Sequence, residues 1–215
     1  MDTIESKKPL PVFEIAKVNL KHHALLSILA ASAIIIITPV LFGTAHLDKR
    51  AAAAPLEMFV SLAGIVLLTP LFQPEQNKDI DDLVSSKYIS PLKIYGIRTV
   101  YTLTILVAFI SLFGLYMRGQ ECDVTPCLIV GTAANAIFLG SLGMLAAALS
   151  DHTVMGYMTP MVFYAMNYGM GGKLGNFYLF SMSAGDFEPK RWLLVTGVFL
   201  MAVSLLVKRL KRRCA

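Results

Sequence analysis

ALLSILAASAIIIITPVLFG, residues 24–43, runs for twenty positions without one charged side chain. A helix rises 1.5 Å per residue, so about 20 apolar residues match a hydrocarbon core of roughly 30 Å. In lipid the backbone has no water to bond, so such a run either closes its own hydrogen bonds as a helix or belongs to a closed barrel. Barrel strands are short and alternate apolar with polar residues; this stretch is long and does not alternate. It reads as a membrane-spanning α-helix. A cleaved leader does not fit it, because the apolar run begins late and passes straight through the small triplet Ala31-Ser32-Ala33.

The rest of the chain repeats the signal. Apolar residues make up 56% and charged residues 15%, against roughly 45–50% and about 25% in soluble proteins. Spans are expected at Ala24–Gly43, Ala52–Gln73, Gly96–Met117, Cys127–Ser150, Thr153–Met170 and Trp192–Val207. The fold class is therefore all-α, a polytopic membrane protein with six transmembrane helices. Residues 1–23 are polar and then amphipathic, with Phe13, Ala16 and Leu20 on one face and Glu14, Lys17 and Lys21 on another. They are expected to form an N-terminal helix lying in the membrane interface. The six-helix domain covers 24–207, and 208–215 is a basic tail. Between the fifth and sixth spans, residues 169–187 include Asn176-Phe177-Tyr178-Leu179-Phe180, too short to cross and too apolar for a solvated loop. This region is expected to be re-entrant or interfacial on the outer side.

Charge placement orients the chain. With both termini inside, thirteen of the 19 Lys and Arg residues fall on the inner side, among them Lys208, Arg209, Lys211, Arg212 and Arg213. Lys49, Arg50, Arg118, Lys173, Lys190 and Arg191 fall outside. Positive residues favour the cytoplasmic side, so the protein is expected in the cytoplasmic membrane with both ends in the cytosol. The net charge of +5 sits at span ends, which argues against nucleic acid as a partner.

Several chemistries are excluded by what the sequence omits. It has no His-Glu-x-x-His zinc pair and no Gly-x-Ser-x-Gly elbow. His22 and His23 are adjacent and serve as interfacial anchors. The glycines before Lys173 do not make a phosphate loop, since Asn167 stands at the first glycine position and Leu174 at the hydroxyl position. No metal site and no catalytic residue is expected. Three cysteines are too few for a disulfide framework, although Cys122 and Cys127 are close enough in one outer loop to join on an oxidising face. Glu57, near the outer end of the second span, is expected either to snorkel to the surface or to line a polar vestibule. Asn135 sits among small residues in the fourth span, and Met158 and Met161 in a Met-rich fifth span. With Glu57 these three are the candidates for a translocation path, beside the plainer reading of helix packing.

The inner loop 74–95 is organised. Residues 75–86 can form a short helix with Ile80, Leu83 and Val84 on one face, and with Asp79, Asp81 and Asp82 mainly off it. Ser90-Pro91 reads as an N-cap and first-turn pair opening the next span. Glu75, Asp82-Leu83-Val84, Ser86 and Ile89-Ser90-Pro91-Leu92-Lys93-Ile94 resemble the cytosolic loop between the second and third spans in membrane subunits of type 2 ABC exporters. Asp79-Ile80 and Tyr88 stand where that family usually has Gly-Thr and Pro.

The resemblance implies a bacterial permease that pairs with a second copy or a paralogue. Separate cytosolic ATP-binding cassette subunits would dock beneath it and bind the ATP and magnesium. It implies that Glu75, Ile80, Asp82, Leu83, Val84 and Tyr88 couple the permease to that motor. The few polar groups in the spans suit hydrophobic or amphipathic cargo, peptide or lipid-like. Two other classes stay open: a non-transporting immunity or assembly factor, and an ion-coupled carrier.

Overall fold

The computed structural model describes residues 25–76 and 91–214. Its α-helices are α1 (Leu25–Phe42), α2 (Lys49–Met58), α3 (Ala63–Leu68), α4 (Pro91–Gly119), α5 (Pro126–Ser150), α6 (Thr153–Met170) and α7 (Glu188–Cys214). Short 3-10 helices occupy Val60–Leu62, Thr69–Gln76 and Gly171–Phe177, and no strand occurs among the described residues. The expected interfacial helix of 1–23 and most of the loop 74–95 lie outside the described residues.

Five runs are long and apolar enough to cross a membrane: Leu25–Phe42, Lys49–Pro74, Ile94–Gly119, Pro126–Ser150 and Glu188–Lys211. They correspond to five of the six expected spans. The fifth expected span is present as α6, but Gly156, Pro160, Thr159 and Asn167 dilute its apolar residues, and it is not among the five. At 1.5 Å per residue, α4 and α7 measure about 40 Å, longer than the span expected in each. A hydropathy pattern marks only the part that lipid would solvate, whereas the helix continues as long as its backbone bonds are met.

The second run is not one smooth helix. Asp48 caps α2 by accepting from the Ala51 N–H, Pro55 lies inside, and the backbone tightens to 3-10 at Val60–Leu62 before α3 resumes.

Helix α5 is the axis of the bundle. About two-thirds of its apolar window is buried, against 11% for α1. Its small residues explain this. A β-carbon on Gly140 would fall 2.5 Å from the Gly64 carbonyl oxygen of α3, and one on Gly143 would fall 2.8 Å from the Gly156 oxygen of α6. Backbones meet directly where side chains would otherwise hold the helices apart. In α1, by contrast, Leu26 and Val40 are about four-fifths exposed, and the helix is apolar all round, as a lipid-solvated span is.

Contacts sort the helix ends. At one end, the His46 N–H bonds the Gln120 carbonyl at 3.1 Å and the Asp123 N–H bonds Leu47 at 3.0 Å. The Lys49 ammonium lies 5.6 Å from the centre of the Phe187 ring at the same end. At the other end, Phe72 meets Tyr95 edge-to-face at 5.4 Å, and Arg98 donates to the Leu71 carbonyl. There too Asp151 accepts from Lys208 and Lys211, each at 2.7 Å.

Asp151 closes α5 in the left-handed region, at φ 56. Partial burial pushes its carboxyl up, and the hydrogen bonds and charges of Lys208 and Lys211 outweigh this to hold it below the ordinary value of 3.8. Its contribution to stability is therefore complete above that value and is lost as pH falls through the depressed one. Asp151→Asn keeps a residue that tolerates left-handed backbone. Because the carboxylate is half exposed, the loss at pH 7 is expected to stay below about 1 kcal/mol. The gap to the wild-type protein should close below about pH 4. Thermal unfolding in detergent from about pH 2.5 to 7 measures it, and a gap that persists at the acid end would contradict the assignment.

Candidate functional site

Glu57 stands in the last turn of α2 and is 0% exposed. It neither snorkels nor opens to a vestibule. Its Oε1 accepts from the Lys190 ammonium at 2.7 Å and from the Met182 N–H at 2.8 Å, and its Oε2 accepts from the Ser183 N–H at 3.1 Å. Lys190, in the first turn of α7 and 5% exposed, donates also to the Asn135 Oδ1 at 2.9 Å and to the Leu179 carbonyl. The Asn135 Nδ2 donates to that same carbonyl at 2.8 Å, while the Leu179 N–H donates to the Asn167 Oδ1 at 2.9 Å. Tyr164 ties α6 to the network's edge by donating to the Met58 carbonyl at 2.8 Å.

Four helices thus converge on one irregular segment. Residues 178–187 contain no regular helix beyond turns, yet Leu179, Phe180, Ser181 and Met182 are buried. Burying such backbone requires partners for its polar groups, and the charged and amide side chains of α2, α5, α6 and α7 supply them. Leu179 and Phe180 complete an apolar layer with Ile65, Phe138 and Leu193. A β-carbon on Gly131 would fall 2.3 Å from the Met182 sulfur, so that glycine opens the space into which the segment descends. Ser183 and Asp186 fold the segment on itself, through bonds to the Phe180 carbonyl and the Glu188 N–H.

The electrostatics are balanced. One carboxylate meets one ammonium, and all three ammonium hydrogens have an oxygen. A buried ion pair costs several kcal/mol per ion in desolvation and holds only when geometry and hydrogen bonding are both good. Both conditions are met here. No nucleophile–base pair is part of the network, and no group of three His, Cys, Asp or Glu side chains suited to a metal occurs among the described residues.

Of the four path candidates, Glu57 and Asn135 share this site through Lys190. Met158 and Met161 lie elsewhere, half exposed on the outer face of α6. Lys190 and Asn167 were not singled out by sequence reasoning. The available signal was the one lysine just before the last apolar run, opposite in sign to the one carboxylate inside the second. Cys122 is buried and Cys127 exposed, and the two thiols are free. Ile80, Asp82, Leu83, Val84 and Tyr88 lie outside the described residues, and of Glu75 only the backbone is described, within the Thr69–Gln76 turn. Comparison with protein-family models, with curated proteins and with solved structures gives no match for this chain.

Proposed function

We propose that this chain is the permease subunit of an ATP-driven exporter of the type 2 ABC class, working as a pair and driven by separate cytosolic ATPase subunits. One observation carries the reading. Gln76 and Pro91, which flank residues 77–90, both stand at the end of the bundle where Lys208 and Lys211 bind Asp151. That end is opposite to the one holding the Glu57–Lys190 pair. The connecting residues, with Ile80, Leu83 and Val84, thus join the bundle at the end that its basic residues mark for the cytosol. A motor there would grip the loop 74–95 and act on the second span and α4 together.

In this reading α6 crosses as a sixth span beside α5, both termini are cytosolic, and residues 169–187 dip into the outer leaflet as a re-entrant cover. The Glu57–Lys190 pair then closes the outer side of the path. Hydrophobic or amphipathic cargo, peptide or lipid-like, suits the apolar interior. ATP and magnesium belong to the partner, and the cell membrane is the site of action.

Leu83→Asp tests the coupling. It is expected to abolish ATP-dependent transport and co-purification of the ATPase while leaving membrane insertion unchanged, because a docking helix of this size relies on two or three apolar residues worth about 2 kcal/mol each. Undiminished transport and co-purification would remove the assignment. The buried Glu57 favours one second reading, an ion-coupled carrier. In sealed vesicles that reading makes uptake follow an imposed ion gradient in the absence of ATP.

A further inference from the structure

Helix α6 has a break in its own hydrogen-bond ladder, and the break lies on a close crossing with α5. Pro160 stands inside α6 and has no N–H, so the Gly156 carbonyl receives nothing from the residue four places on. A β-carbon on Gly143 of α5 would fall 2.8 Å from that carbonyl oxygen, 3.2 Å from the Pro160 Cγ and 2.3 Å from the Thr69 Oγ1. Thr69 opens the 3-10 turn that carries the second span to Gln76. Three elements therefore meet at one point.

The Thr69 hydroxyl is the unsatisfied member. The residue is fully buried, and its Oγ1 has no hydrogen-bond partner. A buried donor left without an acceptor is unfavourable, yet the carbonyl that Pro160 leaves short of a donor lies beside it. A small bend of α6 at Gly156 would bring the two into a bond. Helices bend most readily at proline, and the glycines at 143 and 156 put no side chain in the way.

The outer half of α6, beyond Pro160, is held on one side only. Tyr164 donates to the Met58 carbonyl at 2.8 Å, and Asn167 accepts from the Leu179 N–H at 2.9 Å. The rings of Phe163 and Tyr164 rest against those of Phe138 and Phe180. On the opposite face Met161, Val162, Met166 and Tyr168 are two-fifths to seven-tenths exposed, so no packing within the chain opposes an outward swing. The present conformation makes the outer ties and leaves Thr69 and Gly156 unjoined. The bent one would join them and give up the ties. Two packings that each satisfy groups the other leaves wanting are what a bistable element requires.

We infer that α6 is a two-position lever hinged at Gly156–Pro160, held closed by Tyr164 and Asn167 and held open by a hydrogen bond from Thr69 to the Gly156 carbonyl. The lever is a property of the bundle and does not depend on the permease reading. If that reading also holds, the lever carries a pull on the inner end of the second span, where Thr69 stands, through Asn167 to the segment 178–187.

Pulsed electron–electron resonance in nanodiscs reads the lever, with spin labels at Met166→Cys in α6 and Leu115→Cys in α4 and with Cys122, Cys127 and Cys214 replaced by alanine. Tyr164→Phe removes one tie and keeps the ring. It is expected to raise the open population, seen as a second distance, roughly fivefold, the factor that one ordinary hydrogen bond carries. Adding Thr69→Val, which keeps the shape and deletes the hydroxyl, should return the distribution to the closed one. Adding Pro160→Ala instead, which supplies the missing N–H, should do the same. Thr69→Val alone should unfold at a temperature no lower than the wild-type protein, because its hydroxyl has no partner in the closed form. This last measurement needs no weakened variant to fold. A single unchanged distance in Tyr164→Phe would overturn the lever. An open population that survives Thr69→Val, or a lowered unfolding temperature in Thr69→Val alone, would overturn the role of Thr69. No ATPase takes part in either measurement, so a failure here and a failure of the permease reading are separate.

Discussion

Lys190→Met is expected to destabilise the protein by about 3–5 kcal/mol, the range seen when one partner of a buried ion pair is removed. Methionine has similar length and fills the same track, so packing around Met182 and Gly131 is kept. What changes is charge. The Glu57 carboxylate, 0% exposed, loses its counter-ion and keeps only the N–H groups of Met182 and Ser183. The Leu179 carbonyl and the Asn135 Oδ1 each lose a donor as well.

Removing both charges should undo most of this damage. Glu57→Gln with Lys190→Met leaves an acceptor for the segment's backbone and no uncompensated charge, and such replacements of buried pairs are often neutral. Reversible unfolding of the four proteins of the cycle, in mixed micelles, should give an interaction energy of about 2–3 kcal/mol. A single variant within about 0.5 kcal/mol of wild type, the scale of an unremarkable surface change, would mean that the pair holds nothing together.

The second large effect is expected at a glycine. A β-carbon on Gly64 would fall 2.0 Å from the Ala136 carbonyl oxygen, 2.5 Å from its carbon and 2.7 Å from its Cα. These are backbone atoms of α5, which cannot rotate away as a side chain can. Gly64→Ala must therefore push α3 from α5. Added volume in a packed core typically costs about 1–3 kcal/mol, occasionally more, and the upper end is expected here because neither partner can yield locally. The displacement would also reach the ion pair, since Glu57 precedes Gly64 by two helical turns and Asn135 adjoins Ala136.

Gly96→Ala in α4 is the control. Its β-carbon would meet nothing within 4 Å, so the substitution should be neutral or stabilise by up to about 1 kcal/mol through helix propensity. Similar unfolding of the two alanine variants would show that α3 and α5 are not in backbone contact.

Particular residues show how far the chain could be read. The run of residues 24–43 announced a span because twenty uncharged positions have one physical solution in lipid, and α1 follows it within a residue at each end. The small residues of α5 announced close packing, since Gly140 and Gly143 at three-residue spacing have little other use in a span. Glu57 and Asn135 could be suspected as polar groups in apolar surroundings. Their partner could not. Lys190 follows Glu57 by 133 positions, beside Glu188 and Arg191 at a span end, and nothing local separates it from an interfacial anchor. Asn167 was hidden likewise among the glycines and methionines of α6.

The sequence alone determined that the chain is helical, that its helices are of membrane-spanning length, and roughly where they begin. Those are consequences of local composition, because each helix satisfies its own backbone. Which charges meet, and that the segment 178–187 is drawn into the bundle by them, was decided by tertiary structure. An irregular segment cannot satisfy its own polar groups, so its position depends on side chains that only the folded arrangement of α2, α5, α6 and α7 brings within reach.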